Sequence, residues 1–140
     1  MRPENQSHLM IHLSAVQRNI VWSWCAVNEE KKKVYLSVWE DTRKKREGDD
    51  KASYLIQEPW WGMKEGAGSK SAARNDYDEK LSKIFDEGYE PYGYCVVAKD
   101  INAEPREIEK TKTSFIFSLE LKRLTDSTII CYPIDRIEIN

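Results

Sequence analysis

The sequence predicts a single α+β domain over residues 1–140: a mixed, mostly antiparallel curved sheet or partial barrel carrying two helices. Three observations lead there. Helical periodicity occurs in two separated stretches, β-branched and aromatic runs recur between and after them, and the order of elements is helix, hairpin, loop, helix, several strands. That order lacks the strict strand–helix alternation of a parallel α/β fold, which favours a sheet curling on itself. A chain of 140 residues buries about 68% of its unfolded surface on folding, enough for a core without metal or disulfide support.

Taken in order, Leu9, Leu13, Val16 and Ile20 follow the candidate caps Asn5 and Ser7 at helical spacing, predicting an amphipathic helix near residues 6–17. Ile20 to Val27 and Val34 to Glu40 read as strands joined by the charged turn Asn28 to Lys33. A four-residue loop, Glu29 to Lys32, pairs Asn28 with Lys33, Val27 with Val34 and Trp22 with Trp39. That register puts Val21, Ser23, Cys25, Val27, Val34, Leu36 and Val38 on one side. Trp22, Trp24, Tyr35 and Trp39 gather on the other with Ala26 and Ser37.

Asp41 to Lys51 is hydrophilic and reads as an exposed connection, Ser53 to Gln57 as a short strand, and Glu58 to Ser71 as a loop punctuated by Pro59, Gly62, Gly66 and Gly68. A helix is predicted from about Asp76 to Glu87, capped by Asn75 and stopped by Gly88. Its stripe is Tyr77, Leu81, Ile84 and Phe85, with a Glu79–Lys83 pair on the surface. Strands follow at Tyr92 to Lys99 and Ser114 to Lys122, then one or two more over Thr128 to Ile139, interrupted at Pro133.

The net charge of −2 provides no global attraction to nucleic acid or to an anionic membrane, so such binding must rest on a local patch. Lys31-Lys32-Lys33 and Arg43-Lys44-Lys45-Arg46 are basic runs, though Glu29, Glu30, Glu47, Asp49 and Asp50 flank them and cancel much of their field. Cys25, Cys95 and Cys131 are odd in number and in no CxxC pair, which indicates neither a disulfide framework nor a zinc knuckle. With no signal-peptide core and no apolar run approaching a membrane span, a cytoplasmic protein is expected, with no membrane partner and no cofactor.

Five tryptophans, all in the first half, are the leading functional candidates. Indole and phenol planes stack on bases or cage cations, a base stack contributing roughly 1–3 kcal/mol. The alternative is that a helix covers this face and the rings are core. Trp39, Trp60 and Trp61 lie by strand ends and loops, where sites concentrate. With Arg43, Lys44, Lys45 and Arg46 touching phosphate, they form the expected binding set. Lys99 and Arg106 are a third candidate, a strand-end charge leading into a loop that carries an Arg; they grip phosphate or close a salt bridge across the sheet.

A catalytic alternative is a Mg²⁺ nuclease of the PD-(D/E)xK kind using Asp100, Glu120 and Lys122. His8 and His12 share a helix face but lack the Glu of HExxH and a third ligand, and Gly66 to Ser71 departs from phosphate-loop spacing. No histidine lies beyond position 12, which argues against HNH or Ser-His-Asp chemistry.

The segments Trp22 to Asn28, Val34 to Asp41 and Cys95 to Asp100 with Pro105 to Ile108 together resemble a bacterial module associated with HNH and other restriction-type endonucleases, a small non-catalytic domain beside the nuclease. The likeness covers roughly residues 20 to 122. It implies a PUA-like barrel of the sort that flips out and senses modified bases, acting as a stand-alone reader or partner subunit. The expectation is therefore a non-enzymatic binding module for DNA or RNA, with a nuclease or other protein partner as the alternative association.

Overall fold

The computed structural model describes residues 3–18, 24–59, 61, 71–103, 107–125 and 128–139. In chain order the elements are α1 (Gln6–His12), β1 (Cys25–Asn28), β2 (Lys33–Trp39), a turn of 3-10 helix (Glu40–Thr42), β3 (Tyr54–Gln57), α2 (Ala72–Glu87), β4 (Glu90–Ala98), β5 (Ile108–Thr111), β6 (Phe115–Arg123) and β7 (Ile129–Glu138). The seven strands form one mixed, open, curved sheet in the order β1-β2-β4-β6-β7-β3, with β5 added to β4. β3 returns beside β2 and the 3-10 turn, so the sheet approaches a barrel. The α+β partial barrel read from the sequence is the observed architecture.

The β1–β2 hairpin has the register deduced from its loop: Val27 opposite Val34 and Asn28 opposite Lys33. Asn28 holds the turn by accepting the Lys31 N–H at 3.0 Å, and Lys32 takes the left-handed backbone (φ 54°) that reverses the chain. β2 and β4 run parallel, with Lys33 level with Glu90 and Trp39 level with Val96. The opposite edge of β4 is shared, β6 taking Tyr92 and Gly93 and β5 taking Val96 to Ala98. Gly93 sits where these strands crowd. A Cβ there would come within 2.7 Å of Val38 Cγ2 and 2.9 Å of Leu119 Cδ1.

α1 is shorter than its periodicity suggests. Asn5 caps it by accepting the His8 N–H at 2.9 Å, and it unwinds after His12 with Ser14 at φ 54°. The reason is competition from the sheet. Val16 exchanges both backbone hydrogen bonds with Val27, at 2.9 and 3.0 Å, which a helix would forbid. α2 begins four residues before the expected Asp76, because Ser71 caps it by accepting the Arg74 N–H at 3.1 Å and Ala72 and Ala73 favour helix. Gly88 ends it in the left-handed region (φ 77°). The surface pair expected between Glu79 and Lys83 is replaced by tertiary ones: Glu79 meets Arg18 at 2.6 Å and Lys83 meets Glu29 at 3.4 Å.

β7 continues through Pro133, where an interruption was expected. Pro133 sits opposite Leu119, and the ladder slips between Phe117 and Leu119; the Asp135 N–H freed there donates to Ser118 Oγ at 3.1 Å. A bulge thus absorbs the missing proline donor.

Two apolar clusters hold the fold. One gathers Cys25, Val27, Val34, Leu36, Val38, Ile56, Leu119, Ile129 and Cys131 under the α2 residues Tyr77 and Leu81. The other gathers Ala26, Tyr35, Trp39, Tyr94, Val96 and Ile116 under the α1 residues Leu9 and Met10. Each fully buried large side chain contributes roughly 1.5–3 kcal/mol.

Candidate nucleic-acid interface

Because β2 and β4 are parallel, their C-terminal ends lie at the same edge of the sheet. Beyond that edge stand the 3-10 turn, the basic run Arg43 to Arg46, and the turn that carries Lys99. The basic run is anchored. Lys44 exchanges backbone hydrogen bonds with Ser53, both at 2.9 Å, and Thr42 Oγ1 accepts the Leu55 N–H at 3.1 Å while donating to the Trp39 carbonyl at 2.7 Å. Arg43, Lys44 and Lys45 are exposed, and Arg46 is half-buried.

The acidic neighbours that should cancel this run are partly engaged elsewhere. Glu40 accepts from Lys112 Nζ at 2.6 Å, a hydrogen bond that raises the Lys112 pKa. Asp49 accepts from the Tyr132 hydroxyl at 2.8 Å, which raises the tyrosine, and Lys51 lies 5.2 Å from the centre of the same ring. Among the described residues no carboxylate lies within 4.0 Å of Arg43, Lys44 or Lys45. Glu58 is pushed up by burial, with Arg46 acting in the opposite direction. The buried Nε of Arg46 finds no acceptor among the described residues.

Trp39 is not available for stacking. It is 8% exposed and part of the cluster that α1 covers, so the alternative reading of the aromatic face holds at this position. Trp61 packs on the same cluster but is only partly buried. Trp24, expected beside Trp39, packs instead with the α2 side, its ring edge-on to Tyr77 at 5.5 Å and 76°. Trp22, Trp60 and Arg106 lie outside the described residues, as does most of the glycine-rich loop. Lys99 is exposed and faces Glu107 at 3.8 Å, the salt-bridge reading of that pair.

Two polar networks on α2 escaped the sequence reading. In one, Arg74, 3% exposed, directs Nη1 to the carbonyls of Glu58, Pro59 and Trp61 at 3.3, 3.2 and 2.6 Å, and Nε to Asp78 at 3.3 Å. With the Gln57 amide turned to match its neighbours, its oxygen accepts from Arg74 Nη2 at 3.1 Å and its nitrogen donates to Asp78 at 3.0 Å. In the other, Asp76 is fully buried and receives Lys80 Nζ at 2.9 Å and the Cys25 thiol at 3.5 Å, with Arg18 Nε at 3.5 Å. Beside it Tyr94 donates to the Trp24 carbonyl at 3.2 Å. Spacing gave little signal: Arg74 falls within the arc of Tyr77, Leu81 and Phe85, Asp78 and Lys80 at its margins, and Asp76 beyond it.

This second network is not a nucleophile site. Burial first, and the charge of Asp76 second, push the Cys25 thiol well above its ordinary range, so it stays protonated. The three residues assigned to the nuclease alternative are not brought together. β4 and β6 are antiparallel with Tyr92 opposite Ser118, so Glu120 and Lys122 lie toward or beyond the start of β4 while Asp100 follows its end, on the order of 30 Å away along the strand. Among the described residues no three His, Cys, Asp or Glu side chains are grouped to hold a metal ion, and no helix is long and apolar enough to cross a membrane. Compared with protein-family models, with curated proteins and with solved structures, the chain matches none.

Proposed function

We propose that this domain is a non-catalytic binding module for nucleic acid, contacting phosphates through Arg43, Lys44 and Lys45 and a base through Trp61, with Trp39 as the buried support beneath the site. The observation that carries this reading is the disposition of charge at the shared end of β2 and β4. Three exposed cations sit on a loop fixed by backbone hydrogen bonds, while Glu40 and Asp49 are held by Lys112 and Tyr132. A fixed array loses less conformational entropy on binding than a free one. Lys99, exposed at the same end, would extend the contact by exchanging Glu107 for a phosphate.

The test is a titration of single-stranded and duplex DNA followed by tryptophan emission over a range of salt concentrations. Neutralising three phosphate contacts with Arg43→Gln, Lys44→Gln and Lys45→Gln together should reduce the slope of log K against log salt by about 2.7 for duplex, at about 0.9 per contact. Duplexes with and without a modified base, run in parallel, ask whether the aromatic part discriminates. An unchanged slope in the triple variant, or no response at low salt up to high micromolar DNA, overturns the reading.

A further inference from the structure

We infer that Arg74 is a positioning residue that fixes the Trp61 segment in its binding conformation, an inference that rests on the function proposed above. A guanidinium buried to 3% exposure would ordinarily be found against a carboxylate or a ligand anion. Here Asp78 takes only its Nε, at 3.3 Å, while Nη1 is spent on three main-chain carbonyls of one short stretch, Glu58, Pro59 and Trp61. The third group, Nη2, meets the Gln57 amide, whose own nitrogen returns to Asp78. Every side of the planar fork is thus used, and apart from Asp78 on α2 itself the acceptors belong to the end of β3 and the loop that follows it.

Among the described residues the stretch it grips has few other hydrogen bonds, and Trp61 rests on the Trp39 cluster. Its other backbone bond among these residues is from the Trp61 N–H to the Glu58 carbonyl at 3.2 Å, and Pro59 contributes no donor. The Pro59 and Trp61 carbonyls, held among the described residues by this one side chain from a neighbouring helix, take their geometry from it. Asp78 and Gln57 in turn prevent the guanidinium from rotating. The consequence is a Trp61 ring pre-set against the Trp39 cluster, so that binding does not have to order it.

Arg74→Gln and Arg74→Lys are compared with the unaltered protein, the Trp61 indole N–H resonance being assigned by its loss in Trp61→Phe. Without any DNA, Arg74→Gln should move and broaden that resonance and speed amide exchange at Trp61 at least tenfold, leaving the amides of β2 and β4 unchanged. Arg74→Lys, which supplies charge but not the fork, should restore the resonance only in part. With single-stranded DNA as the probe, Arg74→Gln should bind about tenfold more weakly at an unaltered salt slope, because the phosphate contacts remain.

A Trp61 resonance and exchange rate unaffected by folded Arg74→Gln overturns the inference. Should that variant unfold, Arg74→Lys and Gln57→Ala carry the same comparison, and an unmoved Trp61 in both overturns it. If Trp61 is released but the unaltered protein binds no DNA, the clamp stands and the proposed function falls. If the unaltered protein binds and the released variant binds equally well, the clamp has no part in recognition.

Discussion

Asp76→Ala should be among the most destabilising single changes outside the apolar core. Its side chain is fully buried and receives Lys80 Nζ at 2.9 Å, the Arg18 Nε at 3.5 Å and the Cys25 thiol at 3.5 Å. Removing it leaves the Lys80 ammonium, whose side chain is 7% exposed, with Glu79 at 3.9 Å as its remaining carboxylate among the described residues. Breaking one side of a buried pair costs about 3–5 kcal/mol, against a total stability of roughly 5–15 kcal/mol for a domain. The double variant Asp76→Leu with Lys80→Met removes both charges and should lie within about 1 kcal/mol of the unaltered protein. Urea unfolding followed by tryptophan emission measures the unaltered protein and both variants, and the dependence on urea should keep its slope. A loss below about 1 kcal/mol in Asp76→Ala would show that Lys80 escapes to water and that the pair contributes little.

Gly93→Ala places a methyl against Val38 Cγ2 at 2.7 Å and Leu119 Cδ1 at 2.9 Å, so about 1–3 kcal/mol should be lost. Thermal unfolding would register this as a fall of about 4 °C per kcal/mol, and an unchanged midpoint would mean that β4 and β6 separate freely. Burial raises all three thiols, Cys131 to about 12, so native protein at pH 8 should resist a thiol-specific disulfide reagent that labels all three cysteines in urea. Cys131 favours the folded state fully below the ordinary thiol value of 9.0, and this contribution is lost as pH rises toward about 12, so denaturation should set in on the alkaline side. Rapid labelling of Cys131 in native protein would contradict its burial.

The hairpin register was legible because a loop length and an alternation of side chains constrain each other, and the same holds for the stop of α2 at Gly88. What could not be read depends on partners distant in sequence. β5, spelled Ile-Glu-Lys-Thr, has no apolar face and exists through pairing with β4, and nothing local announces that β2 and β4 are parallel. Arg74, Asp76 and Lys80 resemble a solvated helix surface until the loop at Glu58 to Trp61 and strand β1 are laid upon them. At the site, the anchored cations were visible in composition, but the diversion of Glu40 and Asp49 to Lys112 and Tyr132 was not. Trp39 misled for the opposite reason: a ring at a strand end advertises a site, and α1 closes over it.

The parallel pairing of β2 with β4 also governs the order in which the molecule can assemble. β6 and β7 meet through a short connection and can zip within microseconds, whereas Lys33 to Trp39 find their β4 partners only after β3 and α2 have been made. On a ribosome adding roughly 5–20 residues per second, the apolar strand Val-Tyr-Leu-Ser-Val-Trp stands with one flank unsatisfied for on the order of several seconds. During that interval its best available partner is the same strand on another nascent chain, so yield in recombinant expression should respond to the speed of synthesis more than to the stability of the finished fold.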